Sequence, residues 1–289
     1  MNRRDVLKVT AATALGAAAT LSSNSVLAQS GAEDTSTKFK NIIVTRDKGI
    51  LILRINKLPR NEVSQATLNE LNIGIDIAAK DKSIGAIVVT GTENVFSAGA
   101  GSDALQEQTA GMPTHASLAH QVFNRIESFP KPIIAAINGY SGGGGNELAL
   151  ACDIRIAGKS AKFSQPELQV GLIPGFGGMQ RLRRYIGLGK AMDMMITGRV
   201  IEADEALSLG LVTSVVADTQ VLETAVLMGK KLIEDVNAPA LAIFKERMAA
   251  SYSEPFATAL KNDQLAFDRV VVTEEAHEAL QRFIAKQKG

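Results

Sequence analysis

Two short runs constrain the fold more than anything else in the chain. Ala86-Ile87-Val88-Val89-Thr90, set between Gly85 and Gly91, and Ile133-Ile134-Ala135-Ala136-Ile137, set behind Pro130 and Pro132, are apolar at nearly every position. Neither is long enough to be a globular helix, and neither alternates apolar with polar residues. Short apolar runs of this kind read as buried strands. Around them, Ile42-Ile43-Val44 and Ile50-Leu51-Ile52-Leu53-Arg54-Ile55 read as strands joined by a turn at Asp47-Lys48-Gly49. Residues 65–80 carry a helical stripe at Leu68, Leu71, Ile75 and Ala78, and 115–129 form a helix stopped by the two prolines. A brief strand is expected at 212–216. The chain from Gly178 onward is otherwise helical, with Pro239 and Pro255 near helix starts. The expected class is therefore α/β with a helical tail, and 289 residues at 46% hydrophobic content suffice for one such core with an appended subdomain.

The first residues belong to no such core. Arg3, Arg4 and Lys8 form a basic head, residues 10–21 an Ala-rich apolar run, and Val26-Leu27-Ala28 a site with small or aliphatic residues where a signal peptidase reads. The run is too short to span a bilayer. Arg3-Arg4-Asp5-Val6-Leu7-Lys8 resembles the twin-arginine export motif. The division expected is a signal peptide at 1–28, a polar leader at 29–40, a core at 41–230 and a helical region at 231–289. A periplasmic location follows, or a cytoplasmic one if the leader is unused. No later stretch is apolar enough for a membrane span.

Composition narrows the chemistry. A net charge of +1 without a basic block offers no nucleic-acid surface. A single cysteine, Cys152, excludes an intrachain disulfide or a Cys-rich metal site. His115 and His120 are five apart, off the spacing that puts two ligands on one helix face, so no metal site is expected.

Two glycine-rich turns remain. Phe96-Ser97-Ala98-Gly99-Ala100-Gly101 follows the first buried strand. Gly139-Tyr140-Ser141-Gly142-Gly143-Gly144-Gly145-Asn146-Glu147 follows the second and opens a helix. Small residues admit a ligand close to the backbone, and a helix N-terminus presents unpaired N–H groups. No Lys-Ser/Thr follows, so the second turn is no P-loop, and no acidic residue closes a strand as a dinucleotide site requires. Glu147 lies in the first turn of the new helix, and Glu167 in Phe163-Ser164-Gln165-Pro166-Glu167. Two carboxylates facing one pocket hold a proton unequally, which acid and base roles require.

With these residues in view, the chain resembles the crotonase (enoyl-CoA hydratase/isomerase) superfamily. Residues 131–182 follow its central signature almost throughout, 96–100 match its upstream oxyanion turn, and the likeness runs from about residue 42 to 286. The resemblance implies a crotonase spiral of ββα turns forming two sheets, with C-terminal helices that assemble trimers or dimers of trimers. It implies an oxyanion hole at the N–H groups of Ala100 and Gly144. Glu147 and Glu167 would be the acid/base pair of an enoyl-CoA hydratase, with coenzyme A as part of the substrate and no further cofactor. Arg60, Ser64, Ala98 and Ala100 fall where the family meets coenzyme A, and Phe283 and Lys286 resemble the pair that reaches the adenine end, often from a neighbouring subunit.

The chain departs from the family pattern at Gly101, where Asp is usual, at Asn61-Glu62-Val63-Ser64, at Gly142 and at Met179. An exported protein meeting a coenzyme A thioester is a conflict of location. Three readings stay open: an enoyl-CoA enzyme acting before export or retained, other chemistry of the family (an enoyl-CoA isomerase, or a carbon–carbon hydrolase or lyase on a periplasmic substrate without coenzyme A), and a non-catalytic exported binding protein.

Overall fold

The computed structural model describes residues 39–101 and 114–287. The leader expected at 1–28, and the polar stretch after it up to residue 38, lie outside the described residues. The two buried runs are neighbours in one sheet, β3 (Ala86–Gly91) beside β5 (Ile133–Ile137). With β1 (Ile42–Asp47), β2 (Ile50–Ile55), β7 (Ile154–Gly158) and β10 (Ser214–Val216) they form a six-stranded sheet in the order β1-β2-β3-β5-β7-β10. Only the β1/β2 hairpin is antiparallel.

The reason for the unbroken apolar runs is that both faces are covered. Leu51, Leu53, Ile87, Val89, Ile133 and Ala135 point into one core cluster with the helices α1 (Gln65–Lys80) and α2 (Thr114–Ser128). The residues between them, Ile50, Ile52, Ala86, Val88, Ile134 and Ala136, point into another, closed by Val221, Ala225 and Val226. Successive residues of a strand face opposite sides, so both registers must be apolar.

A second, four-stranded sheet was hidden in what reads as glycine turns. It comprises β4 (Val95–Ser97), β6 (Tyr140–Gly142), β8 (Lys162–Ser164) and β9 (Ile201–Glu202), in the order β4-β6-β8-β9. The chain thus coils. β3-β4, β5-β6 and β7-β8 each place one strand in either sheet, and parallel pairing stacks the coils. α3 (Gly144–Ala151) follows the second coil, and a 3-10 turn (Glu167–Val170) the third.

Beyond these lie α4 (Gly178–Thr197), α5 (Ala203–Ser208), α6 (Val221–Asp235), α7 (Ala238–Ser251), α8 (Phe256–Val271) and α9 (Glu274–Gln287). Pro239 sits in the first turn of α7, and Pro255 caps α8. The division drawn at 230/231 falls inside α6. The helices α7 to α9 make up the C-terminal region, and Phe244, Phe256, Leu260, Phe267 and Val272 stand exposed on it. α7 is tied to the sheets by Lys245, only 4% exposed, which donates to Asp153 Oδ2 at 2.7 Å and to the Lys131 carbonyl. Among the described residues, no helix is long and apolar enough to cross a membrane.

Candidate active site

The ends of the three coils meet. Gly99, at φ +95°, leaves no room for a side chain: a Cβ there would stand 2.9 Å from both the Gly142 carbonyl oxygen and the Gly144 nitrogen. The first turn therefore lies with its backbone directly on the second. A Cβ on Gly144 would in turn lie 3.5 Å from the Ala100 nitrogen, so the two N–H groups expected to form an oxyanion hole are brought together. As the first residue of α3, Gly144 has an N–H that the helix leaves unpaired, at its positive end.

Glu147 follows on the same turn of α3 and is 1% exposed. Its Oε1 accepts from the Phe176 N–H at 2.8 Å and the Gly178 N–H at 2.6 Å. Burial, then the nearby Glu167 carboxylate, pushes its pKa up to about 8, against the pull of those two N–H groups. Glu167 opens the 3-10 turn of the third coil. Its Oε1 would lie 3.0 Å from a Cβ on Gly143, the φ +50° residue that caps α3. That oxygen accepts from Gln165 Nε2 at 3.0 Å, while Oε2 is buried without a hydrogen-bond partner. Burial raises the Glu167 pKa as well. Two like groups so placed titrate as a pair, holding one proton between them over an intermediate range of pH.

Residue reasoning missed the groups that hold the pair. Gln165 is fully buried and its Oε1 accepts from Asn146 Nδ2 at 2.7 Å, so Asn146-Gln165-Glu167 forms a chain of amides behind the second carboxylate. Phe176 stacks edge-on against the buried His115 ring at 5.1 Å and would meet a Cβ on Gly144 at 2.7 Å. The signal for Asn146 and Gln165 was present: a neutral polar residue beside a carboxylate in an otherwise apolar or glycine-rich run.

The expected coenzyme A residues divide. Arg60, Ser64, Ala98 and Ala100 share one edge, because Ala98 N–H donates to the Arg60 carbonyl and Val63 N–H to the Gly99 carbonyl, each at 2.9 Å. Arg60 is exposed, and the Ser64 hydroxyl caps α1 by accepting from the Thr67 N–H. Two departures from the family pattern meet here: Glu62 Oε2 would stand 2.6 Å from a Cβ on Gly101. Phe283 and Lys286 lie on α9, none of whose residues is buried, and no hydrogen bond or ring contact joins them to the carboxylates. Among the described residues, no three His, Cys, Asp or Glu side chains are grouped to hold a metal.

A buried and a half-buried carboxylate beside two converging N–H groups are suited to moving protons at the carbon next to a carbonyl while its oxygen becomes negative. The comparisons agree with that geometry. The family model described as enoyl-CoA hydratase/isomerase matches residues 45–289. A short-chain-enoyl-CoA hydratase of Clostridium acetobutylicum is 37% identical over 256 residues, covering 87% of this chain and 97% of its own. A probable enoyl-CoA hydratase of Bacillus subtilis is 39% identical over 248 residues, 84% of this chain and 95% of that one. The solved enoyl-CoA hydratase of Bacillus anthracis superposes with a TM-score of 0.78 at 33% identity, covering 86% and 97% of the two chains. With a family model over most of its length and relatives this similar, the chain belongs to the enoyl-CoA hydratase/isomerase family of the crotonase superfamily.

Proposed function

We propose that the protein is an enoyl-CoA hydratase, adding water across the C2=C3 bond of a 2-enoyl thioester to give the 3-hydroxyacyl thioester. One observation carries this reading: the Glu167 carboxylate stands over Gly143, the cap of the helix that carries Glu147, near enough to help raise the Glu147 pKa, and both lie beside the N–H groups of Ala100 and Gly144. A hydratase needs two groups, one to take a proton and one to give it, and this site holds two.

In the proposed cycle the Ala100 and Gly144 N–H groups receive the thioester oxygen and stabilise the enolate, each worth roughly 3 kcal/mol. A water bridges the carboxylates. Ionised Glu147 takes one of its protons as its oxygen bonds to C3, and Glu167 gives its own proton to C2. Atoms balance: the water ends as a hydroxyl on C3 and a proton on Glu147, and the hydrogen gained at C2 comes from Glu167. Burial raises the pKa of both carboxylates, so the pair can hold the one proton that the cycle moves. The chemistry calls for no metal or redox group.

Coenzyme A would lie along the edge of Arg60, Ser64 and Ala98. Phe283 and Lys286 would reach it from a second copy, in a homotrimer or a pair of trimers, which the exposed apolar side chains of α7 to α9 support. The leader at 1–28 supports export to the periplasm by the twin-arginine route. Appearance of the protein only in the cytoplasmic fraction, with the leader intact, would remove that part of the reading.

The deciding assay follows crotonyl-CoA by its conjugated-thioester absorbance, using residues 29–289. Rapid loss with 3-hydroxybutyryl-CoA as product is expected. Migration of a double bond without uptake of water would make the protein an isomerase, and absence of both turnover and coenzyme A binding would sink the proposal.

A further inference from the structure

Arg181 stands in the first turn of α4, outside the carboxylate pair, and is 4% exposed. Its guanidinium donates to the Phe176 carbonyl at 3.1 Å, to Asn124 Oδ1 at 2.7 Å and to Glu127 Oε2 at 2.8 Å. It also lies hard against the intervening glycine: a Cβ on Gly177 would stand 2.3 Å from Nη1. The same three-residue turn, Phe176-Gly177-Gly178, presents its N–H groups the other way, to Glu147 Oε1. The turn is therefore held by its carbonyl from one side and holds the carboxylate from the other. We propose that Arg181 is a positioning residue for Glu147, fixing through the Phe176 carbonyl the turn that aims two N–H groups at its Oε1. The inference rests on the hydratase reading for its catalytic consequence, though not for its geometry.

The residue type fits the task. A planar guanidinium offers five donors in a rigid fork, enough to reach a carbonyl, an amide and a carboxylate at once, whereas an ammonium is a point charge on a flexible stem. Burying it is offset by Glu127, which also faces Arg184 at 3.9 Å. The charged or titratable groups around Glu147 and its turn are then Glu167 from the 3-10 turn, Arg181 from α4, and Glu127, His120 and the buried His115, which contacts the Phe176 ring, from α2. Of these, Glu127 is spent on Arg181, and His120 borders Gly177, where a Cβ would lie 3.9 Å from its Cε1. Arg181 is the cation that draws the Glu147 pKa down against burial and Glu167. Losing it removes that pull and loosens the two N–H donors that act in the same direction.

The test pairs kinetics with infrared spectroscopy in the full protein. The carboxylic-acid band of Glu147 is assigned by its loss in Glu147→Gln, and its titration midpoint is read with no need of activity. In Arg181→Met, which keeps the stem, the midpoint should rise and kcat should fall by about ten- to a hundredfold, the scale of a small misplacement of a reacting group. KM for crotonyl-CoA should hold, because Arg181 is not on the Arg60 edge. A merely structural role would lower the melting temperature and leave the midpoint in place, and that result in folded protein overturns the proposal. Arg181→Lys keeps the charge and loses the fork; a loss of about tenfold in kcat is expected, and full activity overturns the proposal even if Arg181→Met does not fold. Wild-type protein that fails to hydrate crotonyl-CoA, yet shows the midpoint rise in Arg181→Met, would sink the hydratase reading and leave this one standing.

Discussion

The two ends of the molecule solve opposite problems. Around Gly99, Gly143 and Gly144, backbone rests on backbone, and each carboxylate finds its hydrogen-bond donors within the same chain. Along α7 to α9 the reverse holds: Phe256 is 79% exposed, Val272 74% and Phe267 66%, and α9 buries nothing. The contrast teaches that the proton-transfer machinery is closed within one chain, while the region expected to hold the far end of coenzyme A leaves an apolar surface uncovered in the single chain. Damage at the first end should therefore strike turnover directly, and damage at the second should strike stability, assembly and thioester affinity.

The largest effect should come from the carboxylates. Glu147→Gln and Glu167→Gln keep size and hydrogen-bonding shape but remove the proton that moves, so each should cost about a thousandfold in kcat in the crotonyl-CoA assay. Gly99→Ala comes next. It introduces a Cβ at φ +95° and pushes the two turns apart, and a loss of about a hundredfold is expected from a displaced oxyanion donor. Should either variant retain near-native turnover, the site would not be where the three coils meet.

At the other end, Lys245→Met removes the buried ammonium that holds the part-exposed Asp153 carboxylate and the Lys131 carbonyl. Chemical denaturation should report a loss of about 2 kcal/mol, with turnover per folded molecule almost unchanged. A charge placed in the apolar face, as in Phe267→Glu, should lower the mass seen by light scattering and raise KM while kcat changes less. If it instead abolished turnover as the glutamate variants do, the contrast between the two ends would fail.

The smallest effect is set by pH. Glu147 binds its proton more tightly in the folded protein, at about 8 against an ordinary 4.5. Its contribution to stability is complete below pH 4.5 and is lost as pH rises through about 8. The melting temperature of Glu147→Gln should therefore gain on wild type across that window. Activity should decline above about pH 8, where the pair gives up its shared proton.

Much of this was legible in the residues, and the limits have physical causes. Strands β3 and β5 showed themselves because strands covered on both faces must be apolar throughout, and β1, β2 and β10 were also readable, whereas β7 was not. Helix α1 showed itself through its stripe, and its observed limits, Gln65–Lys80, match the expected ones. The second sheet was implied by the family resemblance alone, since strands of two or three residues are too short to carry a period and merge with the glycines around them. Glu147 and Glu167 could be picked out, but nothing in their spacing says that the second stands over Gly143, the cap of the helix that carries the first. That follows only from the stacking of coils. Asn146 and Gln165 carried a faint signal as neutral polar residues beside the carboxylates. Arg181 carried less, because its role depends on a carbonyl five residues upstream that any residue type would supply. Phe283 and Lys286 were chosen by resemblance alone, and the single chain holds them on an exposed helix.

The coiled path also governs how accurately the reacting groups can be placed. Ala100, Gly144 and Glu167 are far apart along the chain, and positional error would accumulate over that length if each loop were positioned independently. Here β4, β6 and β8 are laid side by side, and each group leaves the end of one of them. The relevant ruler is then the distance between hydrogen-bonded strands, about 4.8 Å, repeated twice. An insertion in a segment between coils lengthens the chain without altering that ruler. Outer loops can therefore diverge to suit different acyl groups while the tolerance on the chemistry stays that of a single strand pairing.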